Sequence, residues 1–497
     1  MADPRFSPIL LALPSLTPSL ALELLPHGLT IHRLFVQADG KTHDIVIGPE
    51  DPAGHLVQKY TNTVVGRYSN RLPVTPEPLA LSRGGHTSTL APLANEAPTV
   101  SLHGGPEGFD ARAWTPLPDI GAAQLFSDAE KQTIAARVPA AVVSVLESPD
   151  GDQGFPGALR VEVLVGLVPP NAPPAAGADK PEWLLGSVLL VYRARLIDAD
   201  KVTPVNLTQH WGFNLDASLQ DGTVSVADHR IAMKASHTLE LTPDALSAGT
   251  LAALEGPHAP LAAPSGTRIG DHPYDNYYLF APPPAAAMAT TARSIAAQPT
   301  RLAPAEFSPV TDLLAPVLEQ GEAGQPGAEG PQVELQSEKS GLRVAFWSNQ
   351  PGVQFYTNKF ANPEKTARKR IHGGSGAVGD GYGSGFSEYH TSSFTLAALR
   401  VHPLLTHIPT ALPFLRAHIH NADAAFPSAA AFLEFHAPLA AWLHPSTRPA
   451  AVRAASGETN IAGAGAPDDD DTLLAPGELY HNVVRTDVWF RSPDGGL

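Results

Sequence analysis

Asn206-Leu-Thr-Gln-His-Trp-Gly-Phe-Asn-Leu-Asp216 decides how the rest of the chain is read. Polar and apolar residues mix within it, and the apolar ones favour extended backbone. It is expected as a strand carrying His210, with Asn206, Thr208, Gln209 and Asn214 supplying hydrogen-bonding groups around the ring. A side chain on a strand is fixed by its neighbours, which suits a group that must meet a substrate at a set angle.

Working outward, Arg160-Val-Glu-Val-Leu-Val-Gly-Leu-Val168 and Ser187-Val-Leu-Leu-Val-Tyr-Arg-Ala-Arg-Leu-Ile197 read as strands that lead into this stretch. Residues 22–47 read as strands around the turn Ala38-Asp-Gly-Lys41. Further strands are expected at 222–227, 276–280, 342–348 and 353–356. Helical periodicity is weak, at 128–137 and 286–297 only. Short strands divided by turns, in a chain of 497 residues with 50 prolines and 42 glycines, point to an all-β sandwich or barrel. One domain over 1–497 is expected, with insertions at about 169–183, 282–332 and 373–430. Within the last, residues 394–419 are apolar with scattered histidines and fit neither flank.

The totals narrow the function. Hydrophobic residues make up 43% of the chain, enough for a sizeable core, and the net charge of −16 would repel a nucleic-acid backbone. Cysteine is absent, which excludes disulfides, thiolate catalysis and cysteine-ligated zinc or iron–sulfur sites. Near the N-terminus, Asp3 offsets Arg5, and Pro14 and Pro18 break the apolar run. That run fits neither a signal peptide nor a membrane span, so a cytoplasmic protein is expected, with secretion as the alternative.

Six stretches, in order, resemble the aldose 1-epimerase (galactose mutarotase) family. Gly66-Arg-Tyr-Ser-Asn-Arg71 is similar to its G-R-x-x-N-R element, and Leu102-His-Gly-Gly-Pro-Glu-Gly-Phe109 with Trp114 to H-G-G-x-x-G-F…W. The opening stretch is similar to N-L-T-N-H-x-Y-F-N-L, and Asp275-Asn-Tyr-Tyr-Leu-Phe280 to the aspartate-led strand that follows. Pro351-Gly-Val-Gln-Phe-Tyr-Thr-Asn358 resembles P-G-x-Q-x-Y-T-x-N with one spacer missing. Phe432-Leu-Glu-Phe-His-Ala-Pro438, with Leu473-Leu-Ala-Pro-Gly-Glu-Leu-Tyr480, resembles the glutamate strand and final strand. Two departures bear on the pocket: Trp211-Gly212 after the histidine, and Phe435-His-Ala-Pro in place of T-Q-x-x-P-D after the glutamate.

The resemblance implies a large antiparallel β-sandwich and interconversion of the α and β anomers of a free hexose, without cofactor or metal. Its partner would be a monosaccharide, with no nucleic acid and no membrane. It makes Glu434 the base and His210 the acid, set on opposite sides of the sugar ring. Arg71, His103 and Asp275 would hold hydroxyls and tune the pair, Asn70 and Gln354 would add hydrogen bonds, and Trp114 or Trp211 would stack on the sugar. Glu388, in Gly385-Phe-Ser-Glu-Tyr389, competes with Glu434 for the glutamate position.

Other features point elsewhere. A phosphorylated hexose would need added Arg or Lys at the pocket mouth, for which Arg67, Arg71 and Arg112 are the candidates against an acidic net charge, and a non-catalytic carbohydrate-binding protein would keep the fold without turnover. Gly374-Ser-Gly-Ala-Val-Gly379 lacks a surrounding strand–helix unit for a dinucleotide. His402, His407, His418 and His420 give no clean ligand pair. Asp468–Asp471 reads as a solvated acidic loop.

Overall fold

The computed structural model describes residues 3–170, 182–221, 225–281, 294–319, 330–358, 363–381, 428–455 and 470–492. The first and third insertions fall mostly outside these residues, as do Glu388 and the four histidines of 402–420, whereas 294–319 and 330–332 of the second are described.

Among the described residues the architecture is antiparallel sheets with few helices. The largest sheet has ten strands; the pairing runs Leu159–Val168 to Glu182–Leu196 to Leu479–Arg491 to Leu342–Ser348. Three of these strands are largely apolar because both faces are covered, while Leu479–Arg491 also buries His481, Asn482, Arg485, Thr486 and Asp487. Val161, Val163 and Val165 point into the main core, while Leu164 and Val168 point outward. The outer face is closed by the helices Asp128–Arg137 and Leu314–Glu319. The first helix starts at a capping box, with Ser127 and Glu130 satisfying each other's backbone amides. Glu130 also receives Arg193 Nη2 at 2.6 Å, both side chains fully buried.

A six-stranded sheet packs on the inner face. Its order is Trp211–Phe213, Ala431–Phe435, Gly352–Tyr356, Asp275–Phe280, Ala235–Leu241, Ser247–Ala253. Period-two alternation splits its residues cleanly. Trp211, Phe213, Val353, Phe355, Ala431, Leu433 and Phe435 enter the main core. Their alternates, including Gln354, Tyr356, Phe432 and Glu434, occupy the other face, and loops from the first hundred residues roof it. A four-stranded sheet formed by Ile9–Ala12, Leu20–Leu25, Thr30–Ala38 and Lys41–Asp44 completes the N-terminal part, taking up the apolar run seen in sequence.

Several expectations need correction. The opening stretch is two short strands, Thr208–Gln209 and Trp211–Phe213, with His210 at the step between them. Residues 225–227 form no strand. Asp471 is buried, not solvated, because Arg301 and Arg83 both pair with it, Arg301 at 2.6 Å. The start of the third insertion, 373–381, is tied down. It follows Lys369, whose Nζ donates to Asp44 and to the carbonyls of His32 and Val46.

Candidate active site

Three pieces of backbone meet at the face of the six-stranded sheet turned away from the main core. The first is the segment 60–71. Val64–Val65 pairs with Thr208–Gln209, so His210 is gripped from one side, its N–H donating to Thr63 O at 2.9 Å. The same segment holds it a second time, Asn62 N–H donating to His210 O at 2.8 Å. The Asn62 side chain accepts from Gly212 N at 2.9 Å and donates to Ile47 O at 2.6 Å.

The second is the His-Gly-Gly loop. Arg71–Pro73 pairs with Val100–Leu102, which brings Asn70 beside His103. His103 N–H donates to Asn70 O at 3.0 Å, and Asn70 N–H donates to His103 Nδ1 at 3.1 Å. A neutral ring whose Nδ1 accepts carries its hydrogen on Nε2, so His103 is set as a donor. Gly104 has φ +90, and a Cβ there would meet Gly66 O at 2.0 Å; only glycine lets the two loops touch.

The third is the sheet itself. Gln354 lies in register with Glu434 on one side and Tyr277 on the other. Glu434 Oε1 is 3.4 Å from His210 Nε2. Gln354 Nε2 donates to Asp275 Oδ1 at 2.8 Å. The His103 and His210 rings stand perpendicular, 5.3 Å between centroids. Six of the seven residues picked from sequence are buried here, and Asp275 is half-buried. The structure thus gathers all seven.

The two residues expected as acid and base do not face each other across a sugar's width; they touch. Both oxygens that exchange protons in anomer interconversion hang on one carbon, so two adjacent groups are the fitting arrangement. Nor do Trp114 and Trp211 line this face. Both lie in the main core, and Trp114 Nε1 donates to Phe109 O. The rings beside His210 are Phe432, at 4.8 Å, and Tyr60, at 6.4 Å. Alternation with Glu434 marks Phe432 in sequence; nothing marks Tyr60 or Asn62, which reach the site through loop geometry. Gly212 explains the altered pair after the histidine: a Cβ there would lie 2.4 Å from Phe432 Cζ, so its absence makes room for that ring.

Charge in the site is set by burial. Desolvation pushes the Glu434 carboxyl well above its usual range, Asp275 adds to this, and Arg71 opposes it. Desolvation pulls His210 down to about 3, and His103 well down too. Burial therefore opposes charge on both members of the pair expected as carboxylate and imidazolium, favouring the protonated carboxyl of Glu434 and the neutral ring of His210. Arg71 is held by Glu96 in a two-pronged pair at 2.6 and 2.7 Å. Arg67 is buried among carbonyls, with Nη1 2.7 Å from Gly157 O, and Arg112 pairs with Asp152. Their use inside the fold speaks against a phosphate subsite built on them.

His103, His210 and Glu434 bring ligand-type atoms within 4.8 Å of one another. A metal needs a lone pair from each. His103 has none to give, since Nδ1 accepts from Asn70 and Nε2 bears the hydrogen.

Residues 186–303 match the family model described as Aldose 1-epimerase. That span includes His210 and Asp275. The galactose mutarotase of Mus musculus is 31% identical over 268 residues, 52% of this chain and 64% of that protein. The galactose mutarotase of Bos taurus is 31% identical over 255 residues, 51% of this chain and 60% of its own length. The aldose 1-epimerase of Escherichia coli K12 is 32% identical over 206 residues, 41% of this chain and 45% of that protein. The chain thus spans less than two thirds of the length of these curated relatives. The fold is similar to the solved GalM/aldose epimerase homologue from C. elegans, with TM-score 0.54, 16% identity and 98% of both chains covered. It is similar as well to galactose 1-epimerase from Lactobacillus acidophilus NCFM, with TM-score 0.51, 15% identity and 97% of this chain and 98% of that one covered. Residues 186–303 thus match the aldose 1-epimerase model, about half of the chain is similar at 31% identity to curated galactose mutarotases, and the fold is similar to that of solved aldose epimerase homologues.

Proposed function

We propose that this protein is an aldose 1-epimerase acting on a free, neutral hexose, with Glu434 and His210 as its proton-transfer pair. The observation that carries the proposal is the 3.4 Å contact between Glu434 Oε1 and His210 Nε2 in a buried, hydrogen-bonding site.

Ring opening removes the proton of the anomeric hydroxyl and delivers one to the ring oxygen. From the resting pair, neutral His210 takes the first and the Glu434 acid gives the second, leaving imidazolium and carboxylate. The C1–C2 bond turns in the open-chain aldehyde. On closure the carboxylate and imidazolium exchange the protons back, and the other anomer leaves. Carboxylate-as-base with imidazolium-as-acid is the same cycle entered from its other half, because the pair holds one proton in both states. With ordinary values the carboxylate would have lost its proton at neutral pH while the imidazole stayed neutral, leaving nothing to donate. Burial of Glu434 keeps that proton in the site. Arg71, Asn70, His103, Asp275 and Gln354 act as the hydroxyl-binding set, with His103 donating through Nε2–H.

Polarimetry on freshly dissolved α-glucose and α-galactose tests this. Wild type speeds the approach to equilibrium and Glu434→Gln removes the gain. Equal behaviour of both proteins and buffer, with sugar binding retained, would make this a non-catalytic carbohydrate-binding protein.

A further inference from the structure

His436 is absent from the reasoning so far, yet it is wholly buried and lies two residues beyond Glu434. Alternation puts Ala431, Leu433 and Phe435 in the core and leaves Phe432, Glu434 and His436 on the opposite, site-bearing face. Its ring packs on Tyr277, 5.2 Å between centroids, and Tyr277 is the register neighbour of Gln354, itself paired with Glu434. Tyr277 Oη donates to His436 O at 2.9 Å, which fixes the backbone there.

His436 Nδ1 lies 2.7 Å from Ala437 O. A carbonyl only accepts, so Nδ1 carries the hydrogen and Nε2 presents a lone pair. That Nε2 is buried and has no hydrogen-bond partner, and the same is true of Glu434 Oε2. Two unmet polar atoms on one sheet face, two residues apart, are costly if left so. Such atoms persist where something else satisfies them. The ring is also near enough to His210 and His103 that charge on it disfavours charge on both, so it borders the site rather than a separate part of the core.

We infer that His436 is a substrate-binding residue of this site, its Nε2 accepting a hydrogen bond from a sugar hydroxyl. The inference rests on the epimerase reading above and adds a subsite to it. As a pure acceptor, His436 complements His103, a pure donor. A hydroxyl can serve each in turn, so the two histidines read hydroxyl groups at different places on the ring. The residue lies in the Phe-His-Ala-Pro run where the chain departs from the family pattern, which makes it a determinant of sugar preference.

The test compares wild type, His436→Phe and His436→Gln on glucose, galactose and their monodeoxy derivatives. His436→Phe is expected to raise KM about 3–10-fold, the loss of one neutral hydrogen bond, with kcat little changed. His436→Gln, which keeps an acceptor, should recover part of it. One monodeoxy sugar should be handled alike by wild type and His436→Phe. Equal KM for wild type and His436→Phe, or the same discrimination among all the deoxy sugars, overturns the inference. Should the variants not fold, ¹⁵N-histidine spectra of wild type decide it. The His436 Nε2 resonance moves upfield on saturation with sugar if it accepts a hydroxyl, and an unmoved resonance means a bound water or nothing is met there. Because that readout needs binding and not turnover, it stands apart from failure of the epimerase reading, which wild-type polarimetry reports.

Discussion

Glu434 Oε1 sits 3.4 Å from His210 Nε2 although the two side chains come from distant parts of the chain, and both are buried. If they share one proton through the reaction, removing either is expected to cost about 10²–10⁴ in rate. The double variant Glu434→Gln/His210→Asn should lose little more than the worse single one, because groups that act as a unit are not additive. Polarimetric rates for the three variants decide this; multiplicative losses would mean two independent roles.

The pair's proton sets the pH profile. A second proton would go to His210, which resists it down to about 3, so kcat/KM should stay flat through the ordinary histidine range. The alkaline limb belongs to Glu434, held high by desolvation and then by Asp275. Asp275→Asn removes a negative neighbour and so lowers the Glu434 pKa. The alkaline limb should move to lower pH, even as the rate falls. An unmoved limb would assign it to another group.

Stability should fall in acid for a related reason. His55 and His210 sit at about 3, and His372 and His436 at about 4, all from burial. Below about 6.5 the unfolded chain binds protons at these histidines and the folded chain does not, so each one lowers stability by about 1.4 kcal/mol per pH unit until its folded value is reached. Denaturant midpoints between pH 7 and 5 should drop steeply, with a smaller drop for His55→Asn.

Asn62 holds His210 by its backbone and the following strand by its side chain. In Asn62→Gly the left-handed backbone, φ +58, is still allowed, but the bonds to Gly212 and Ile47 are lost. We expect kcat to fall at least tenfold with little change in sugar affinity, read by polarimetry beside calorimetric binding.

Glu96 holds Arg71 in a largely buried pair. Glu96→Gln leaves the guanidinium unmatched, which typically costs about 3–5 kcal/mol. A lowered melting temperature is expected, together with a gain over wild type in activity on hexose 6-phosphates. Unchanged stability would show that solvent already serves Arg71.

Much of this was legible in sequence, for particular reasons. Strands such as Leu342–Ser348 show in composition because both sheet faces are covered. The helix Asp128–Arg137 shows in its periodicity and its Ser127–Glu130 cap. The site residues could be picked because their motifs resemble a family's, not because of any local pattern: alone, Glu434 reads as an exposed residue between two apolar ones. The misplaced features all depend on partners far away in the chain. Trp211 faces the core beside its register partner Leu433, and Asp471 is buried because Arg83 and Arg301 reach it. No short window of sequence contains both members of such pairs.

His210 is held by the loop around Asn62, while Glu434 arrives on a strand from near the C-terminal end, slotted beside Trp211–Phe213. A nascent chain therefore holds only half of the proposed proton-transfer pair until residue 434 has been synthesised. Pairings between such distant segments form slowly. Recovery of turnover after dilution from denaturant would then lag behind recovery of β-structure, and the length of that lag would time the arrival of the last strand of the inner sheet.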